Sequence, residues 1–333
     1  MPRPQRAAVI GVSHWHSIYD VAYLKILKEL NVDIVGVSDE DAGVAQRRAS
    51  KFDSTPYTDY HAMIEKTKPE FVIALGKHVD MPTIFRFMVD SGIPFVMEKP
   101  WGTDLATVES LAEFAESKNA WVGPPIGSRY RYWAQEARRR IASQEFGTVS
   151  RIFQRTIRPS MQRYLEWDSP WMLNRKEAGG GALINLGSHH IDSLRFIAGE
   201  ELSVVAAVIS NAIHKSEVED YAMVTMRTPS GITVILEVGY IYPSWPDNKT
   251  DSESTVLGEK MMLRAEGEGL RVVAPNGRDE KIPTPQGYGN GHKRVISECL
   301  DRIAIGQPPP VTTRDAVKMM SLVQDAYLMA GRV

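Results

Sequence analysis

Several stretches of this chain carry residue types at spacings that chemistry can use. The first is Gly11-Val12-Ser13-His14-Trp15-His16, directly after the apolar run Ala7-Ala8-Val9-Ile10. In dinucleotide-binding folds a buried strand, a Gly-x-Gly-x-x-Gly turn and a helix cradle a pyrophosphate in this order. Only the first glycine is kept here; Ser13 and His16 stand at the second and third positions. Ser13 is small and its hydroxyl can donate to a phosphate oxygen, while the following helix N-terminus is expected to supply free N–H groups and a favourable dipole. Asp39 lies 39 − 16 = 23 residues past the motif, close to the expected place of the ribose-binding acid. A carboxylate there accepts from ribose hydroxyls and repels a 2′-phosphate, and Glu40 and Asp41 add negative charge. The cofactor so implied is NAD, with NADP disfavoured. The competing reading of Asp39 is a strand-end acid that caps the next helix. His14 and His16 have no third ligand or thiolate nearby in sequence, so they are read as lining the cofactor mouth, with no metal site.

The second stretch, Glu98-Lys99-Pro100, follows the β-rich run Ile93–Met97. It thus sits beyond the carboxyl end of a parallel strand, where open α/β sheets bind ligands. The third runs from Gly179-Gly180-Gly181 through Asn185 and His189-His190 to Asp192. Three glycines let the backbone approach a ligand or another domain without obstruction by Cβ. On a following helix, Asn185, His189 and Asp192 at i, i+4 and i+7 share one face. His190 points about 100° away and is assigned to packing or an interface.

The elements that must position these residues change character along the chain. The first third alternates β-branched runs with helical patterns, as a parallel α/β sheet requires. Strands are expected at Ala7–Ile10, Asp33–Val37, Phe71–Leu75, Ile93–Met97 and Trp121-Val122, with helices over Ile18–Leu30, Pro82–Ser91 and Asp104–Ser117. Gly123-Pro124-Pro125 breaks the pattern, dividing the chain into a dinucleotide-binding domain over 1–123 and a second domain over 124–333. After a helix at Ala134–Ser143, β-rich runs follow at Thr148–Arg158, Leu202–Ser210, Tyr221–Thr228, Ile232–Tyr242 and Lys260–Ala265. Few helices separate them, so the second sheet should be largely antiparallel, interrupted by one long helix near 187–198. Pro243–Ser254 is polar and is expected to be a loop; helices at Lys293–Ile305 and Arg314–Ala330 close the chain.

Composition narrows the classes. The 333 residues include 39 basic and 41 acidic side chains, a net charge of −2, which excludes the basic footprint of a nucleic-acid binder. No apolar run approaches the ~18 residues of a membrane span, and the N-terminal apolar stretch is too short for a signal peptide. The single cysteine, Cys299, precludes an internal disulfide framework and is read as a buried, inert thiol. A cytoplasmic protein is expected.

The order of glycine turn, Asp39, Glu98-Lys99-Pro100, triple glycine and His189 resembles the glucose–fructose oxidoreductase, inositol dehydrogenase and rhizopine-catabolism (Gfo/Idh/MocA) family. The resemblance spans nearly the whole chain, including Tyr57-Thr58-Asp59-Tyr60 and Gly199-Glu200. It implies an α/β Rossmann domain followed by an α+β domain with a large, mostly antiparallel open sheet, and NAD(P)-dependent chemistry on sugars, inositols and related polyols. The strands between Thr148 and Ala265 outnumber the helical segments near them, so one face of the second sheet is expected to be uncovered, with Tyr221, Met223 and Tyr240 as candidates for burial there. The resemblance also implies oligomers, and a homodimer or homotetramer through that sheet is expected.

Carried over position by position, the family's lysine falls on Lys99 and its catalytic histidine on His189. The acid four residues earlier falls on Asn185, a departure, and an arginine after a tryptophan falls on Met172 after Trp171. A neutral imidazole suits removal of a hydroxyl proton during hydride transfer, and an ammonium suits the developing alkoxide. His189 is therefore the expected acid/base and Lys99 the oxyanion stabiliser, with Asn185 beside them. The expected cofactor set is Gly11, Ser13, His14, Trp15, His16, Asp39, Leu75, Gly76, His78, Glu98 and Lys99. Expected substrate contacts are Lys99, Arg158, Tyr164, Trp171, Asn185 and His189, with Arg155 and Trp167 as further candidates. Two other readings stay open: a redox-neutral isomerase, epimerase or glycoside-cleaving enzyme with tightly held NAD, motivated by Asn185, and a non-catalytic binding homologue, motivated by Ser13 and His16.

Overall fold

The computed structural model describes residues 2–332 apart from Trp245, Pro246, Asn248 and Asn276. The chain folds into two compact units. One comprises residues 1–125, 164–179 and 292–318, the other residues 126–163, 180–291 and 319–333.

The first unit is built on a parallel six-stranded sheet: β1 (Arg6–Ile10), β2 (Asp33–Ser38), β3 (Pro56–Tyr57), β4 (Phe71–Ala74), β5 (Phe95–Met97) and β6 (Val122–Gly123), in the order β3-β2-β1-β4-β5-β6. Strands β1 and β4 are buried throughout beyond Arg6, which is why they read as unbroken apolar runs. The helices α1 (Tyr23–Glu29), α2 (Ala42–Phe52), α3 (Tyr60–Thr67), α4 (Met81–Ser91) and α5 (Leu105–Ser117) connect the strands. Asp41, Asp59 and Asp104 accept from backbone N–H groups at the starts of α2, α3 and α5, satisfying donors that a helix leaves unpaired. The strand order reverses between β1 and β4, the switch point where such sheets bind ligands.

One helix expectation is corrected. No continuous helix spans Ile18–Leu30. A single 3-10 turn at Trp15–Ser17 follows the glycine, Asp20 and Ala22 take positive φ, and α1 begins only at Tyr23. Bulky His16, buried, stands where the third glycine of the motif normally lets the helix pack closely on the strand.

The second unit carries an eight-stranded sheet: β7 (Val149–Pro159), β8 (Ser203–Ser210), β9 (Tyr221–Arg227), β10 (Thr233–Tyr242), β11 (Asp251–Gly258), β12 (Met262–Glu266), β13 (Gly269–Ala274) and β14 (Arg278–Pro283). Its order is β14-β13-β12-β11-β7-β10-β9-β8, antiparallel except for the central β7–β10 pair. Helices α6 (Tyr132–Ala142) and α9 (Ser188–Ala198) cover the face formed by Ile152, Val224, Leu236 and Leu263. The opposite face carries Phe153, Val208, Met223, Ile235 and Leu257, with Val208 55% and Met223 37% exposed. Tyr221 and Met223 lie on that face as expected; Tyr240 does not, being fully buried on the helix side in register with Val238 and Leu236.

The expected loop over Pro243–Ser254 is also corrected. Asp251–Ser254 opens β11, paired antiparallel with β7, while Trp245, Pro246 and Asn248 lie outside the described residues. Short helices α7 (Gln162–Glu166) and α8 (Arg175–Ala178) precede the triple glycine, and α10 (Gly291–Ala304) and α11 (Thr313–Met329) end the chain. Cys299 is buried in α10, where loss of solvent pushes its thiol pKa up.

Candidate active site

In the first unit the candidate residues gather at the carboxyl ends of β1, β4 and β5. Gly11 has φ +73°, and a Cβ there would stand 2.4 Å from the Leu75 carbonyl oxygen. The loops after β1 and β4 therefore approach so closely that glycine is required. Ser13 N–H donates to Asp39 Oδ2 at 2.6 Å, and Asp41 N–H donates to Asp39 Oδ1 at 3.1 Å. The carboxylate expected to meet the ribose thus also pins the glycine loop, and its remaining lone pairs suit hydroxyl donors. The donors expected from a helix start right after the glycine are not those of α1, whose first residue is Tyr23.

Glu98 and Lys99, 1% and 2% exposed, close β5. Glu98 accepts from the Tyr23 hydroxyl and from Lys99 N–H, and lies 3.2 Å from His16 Nδ1. Burial lowers the Lys99 pKa to about 8, against the opposing pull of the Glu98 charge. A buried ammonium at this position is a preorganised cation at the site where open sheets bind ligands.

Around this pair stands an aromatic nest that sequence reasoning assigned only in parts. His14 stacks on Trp15 at 3.9 Å, and Trp15 meets Tyr164 at 5.2 Å and Trp171 at 5.7 Å. His78 stands edge-on to Trp171 at 5.0 Å. Tyr164 and Trp171, expected as substrate contacts, are 1% and 8% exposed within this nest. Trp167 stacks on Tyr19 at 5.3 Å. Gly76 extends the loop after β4 beside Ile84 and Met81. Among the described residues no group of three or more His, Cys, Asp or Glu is placed to hold a metal.

In the second unit Asn185 and His189 lie on consecutive turns of different kinds. Asn185 belongs to a π-turn over Leu183–Gly187, and α9 starts at Ser188. The regular i, i+4, i+7 spacing therefore does not hold across the motif, and such π-bulges recur at functional sites. Asn185 Nδ2 donates to the Tyr240 hydroxyl at 2.8 Å. His189 is half-buried, and its carbonyl accepts from the Ser128 hydroxyl at 2.6 Å. Asp192, fully buried, takes Arg129 in a two-pronged pair at 2.5 and 2.6 Å, which balances its charge. His190 is buried with Gln154 Nε2 2.8 Å from its Nδ1. Gln154 was legible in principle, as the polar residue at a core-facing position of β7.

The triple glycine meets close neighbours in the folded chain. Gly179 caps α8 with φ +78°. A Cβ on Gly180 would stand 2.1 Å from the Tyr327 hydroxyl, and one on Gly181 would stand 2.0 Å from the Glu219 carbonyl oxygen. Glu219 is buried and accepts from Leu183 N–H and the Tyr327 hydroxyl at 2.9 and 2.7 Å. Burial raises its pKa. Gly180 and Gly181 thus admit the Glu219–Tyr327 pair that anchors the π-turn. Arg158 is half-buried near the like-charged Arg131. Arg155, in contrast, lies on the uncovered face of the sheet, paired with Asp251 at 2.9 Å and Glu253 at 3.4 Å.

Residues 5–124 match the oxidoreductase-family model described as an NAD-binding Rossmann fold, and residues 134–264 match the GFO/IDH/MocA C-terminal domain. The chain is 22% identical to myo-inositol 2-dehydrogenase of Thermotoga maritima, covering 93% of this chain and 91% of that protein. It is 24% identical to a putative UDP-kanosamine synthase oxidoreductase subunit of Amycolatopsis mediterranei, covering 98% and 96%. Its fold matches that of an inositol dehydrogenase homologue from Azotobacter vinelandii, solved with NAD+, at a TM-score of 0.84 and 17% identity, over 99% of this chain and 96% of that one. With both halves matched in order, the chain belongs to the Gfo/Idh/MocA family of oxidoreductases, and its N-terminal part is that family's NAD-binding Rossmann fold.

Proposed function

We propose that this oxidoreductase oxidises a CH–OH carbon of a sugar, sugar acid or cyclitol, with NAD as hydride acceptor. The observation that carries the reading is Lys99: an ammonium buried at the carboxyl end of β5 with the Glu98 carboxylate beside it. In this reading Lys99 stabilises the alkoxide, and His189, half-exposed at the start of α9, takes the hydroxyl proton. The residues present fit NAD: Asp39 ends β2 with acceptor capacity for a ribose, and Gly11 shapes the turn at the switch point. NAD supplies the hydride acceptor when bound; Asp39, Gly11 and Lys99 hold and orient it. The inositol and UDP-kanosamine relatives support the substrate class. A homodimer or homotetramer through the uncovered sheet face and a cytoplasmic location belong to the same proposal; no described helix is long and apolar enough to cross a membrane.

A panel of cyclitols, aldoses and sugar acids, followed by NADH absorbance together with product analysis, tests this. NADH equal to product is expected. A second reading, redox-neutral turnover on retained NAD, is favoured by Asn185, whose neutral amide faces Tyr240 where the family's acid falls. Product without net NADH would select it.

A further inference from the structure

One short segment of the second unit holds both partners of the Asn185–Tyr240 hydrogen bond. Glu219 and Asp220, both buried, lead into β9. The Glu219 carbonyl accepts from Ala182 N–H at 3.0 Å, and its carboxylate Oε1 accepts from Leu183 N–H at 2.9 Å and from the Tyr327 hydroxyl at 2.7 Å. The carbonyl of the next residue, Asp220, accepts from Tyr240 N–H at 2.7 Å. Ala182 and Leu183 open the π-turn that carries Asn185. The first N–H groups of a helix have no acceptor within it, and Ala182 at the cap position has no side-chain acceptor to offer. Glu219 supplies two acceptors, one from its backbone and one from its side chain.

The turn needs such support. Ser188 N–H bonds to the Leu183 carbonyl, five residues back, in the wide and rarely adopted π geometry. Downstream, α9 is anchored by the Asp192–Arg129 pair and by His190 against Gln154, so a turn that tightens to α geometry must shift its own residues. A register change of one residue rotates a side chain by about 100°, which carries Asn185 away from the Tyr240 hydroxyl. We infer that Glu219 is a positioning residue: it caps the π-turn from outside and, with Asp220 on Tyr240, keeps Asn185 in register with that hydroxyl ahead of His189. The inference rests on the proposed reading only in counting Asn185 among the residues that serve the reaction.

Hydrogen exchange followed by mass spectrometry reads the turn without any substrate. In Glu219→Ala, residues 181–187 should exchange about tenfold faster or more, while residues 190–198 exchange as in the wild type. Glu219→Gln, which keeps an acceptor oxygen for Leu183 and Tyr327, should stay close to the wild type. Unchanged exchange over 181–187 in Glu219→Ala, or an equal loss of protection in Glu219→Gln, overturns the inference. If Glu219→Ala does not fold, Tyr327→Phe, which removes one donor to the carboxylate, takes its place with the same two outcomes. The second arm is a double-mutant cycle on the polyol found by the panel. Glu219→Ala should lower kcat/KM about tenfold at unchanged NAD+ affinity, and should cost less than about twofold when Asn185 is already alanine. Additive losses, or an Asn185→Ala enzyme as fast as the wild type, overturn the positioning role. Wild-type protein that turns over no polyol of the panel would instead sink the dehydrogenase reading, and the exchange arm then decides the cap alone.

Discussion

Asn185 gives its amide hydrogen to the buried hydroxyl of Tyr240 at 2.8 Å, and the Arg163 guanidinium lies 4.5 Å from the centre of the same phenol ring. The position where the family carries an acid is thus filled by a neutral side chain tied into an Arg163–Tyr240 pair. Asn185→Asp keeps a bond to Tyr240, because the hydroxyl can rotate to donate. The added charge, one turn before His189, raises the imidazole pKa. Oxidation needs the neutral ring, so the acidic limb of the rate profile moves to higher pH. Loss of all activity would mean that the Asn185 amide has a role a carboxylate cannot take.

Lys99 sets the opposite limb. Its pKa of about 8 means that the ammonium loses its proton as pH rises through that value, so turnover should fall above about pH 8. Glu98 opposes the effect of burial, and Glu98→Gln should shift this alkaline limb lower by about one unit. A limb that stays in place in Glu98→Gln would refute the coupling.

Asp39 grips Ser13 N–H, and in the proposed function it also meets the ribose. Asp39→Ala should weaken NAD+ binding at least tenfold and narrow the gap between NAD+ and NADP+. Calorimetric titration of both dinucleotides measures it; NADP+ preferred by the wild type would contradict the assignment.

The uncovered face of the second sheet carries exposed Val208, Met223 and Leu257 beside half-buried Phe153 and Ile235. Apolar side chains left uncovered on a sheet face favour association. Light scattering at micromolar concentration should give a dimer or tetramer, and Val208→Glu with Met223→Glu should shift it toward monomer. A monomeric wild type would contradict this.

What the sequence showed follows from which residues advertise their surroundings. Strands β1 and β4 are buried on both faces and read as plain apolar runs, so the Rossmann order was legible. Strand β11 begins Asp-Ser-Glu-Ser, and β14 is the charged string Arg278–Pro283 on the sheet edge. Pairing with neighbouring strands, not apolar content, makes them strands, and charge on an edge discourages association. The candidate residues Lys99, Asn185 and His189 stood out as motifs. Their supports were not, because Glu219 and Tyr327 are separated by 108 residues, and only the folded chain shows that Gly180 and Gly181 make room for them. The π-turn likewise escaped a 3.6-residue periodicity.

The most direct test of the account is His189→Ala, assayed for both turnover and NAD+ affinity. Removing a general base should cost about 10²–10⁴-fold in turnover. NAD+ binding should be nearly unchanged, because the Rossmann unit that holds Gly11, Asp39 and Lys99 is untouched. Full activity in His189→Ala would contradict the account.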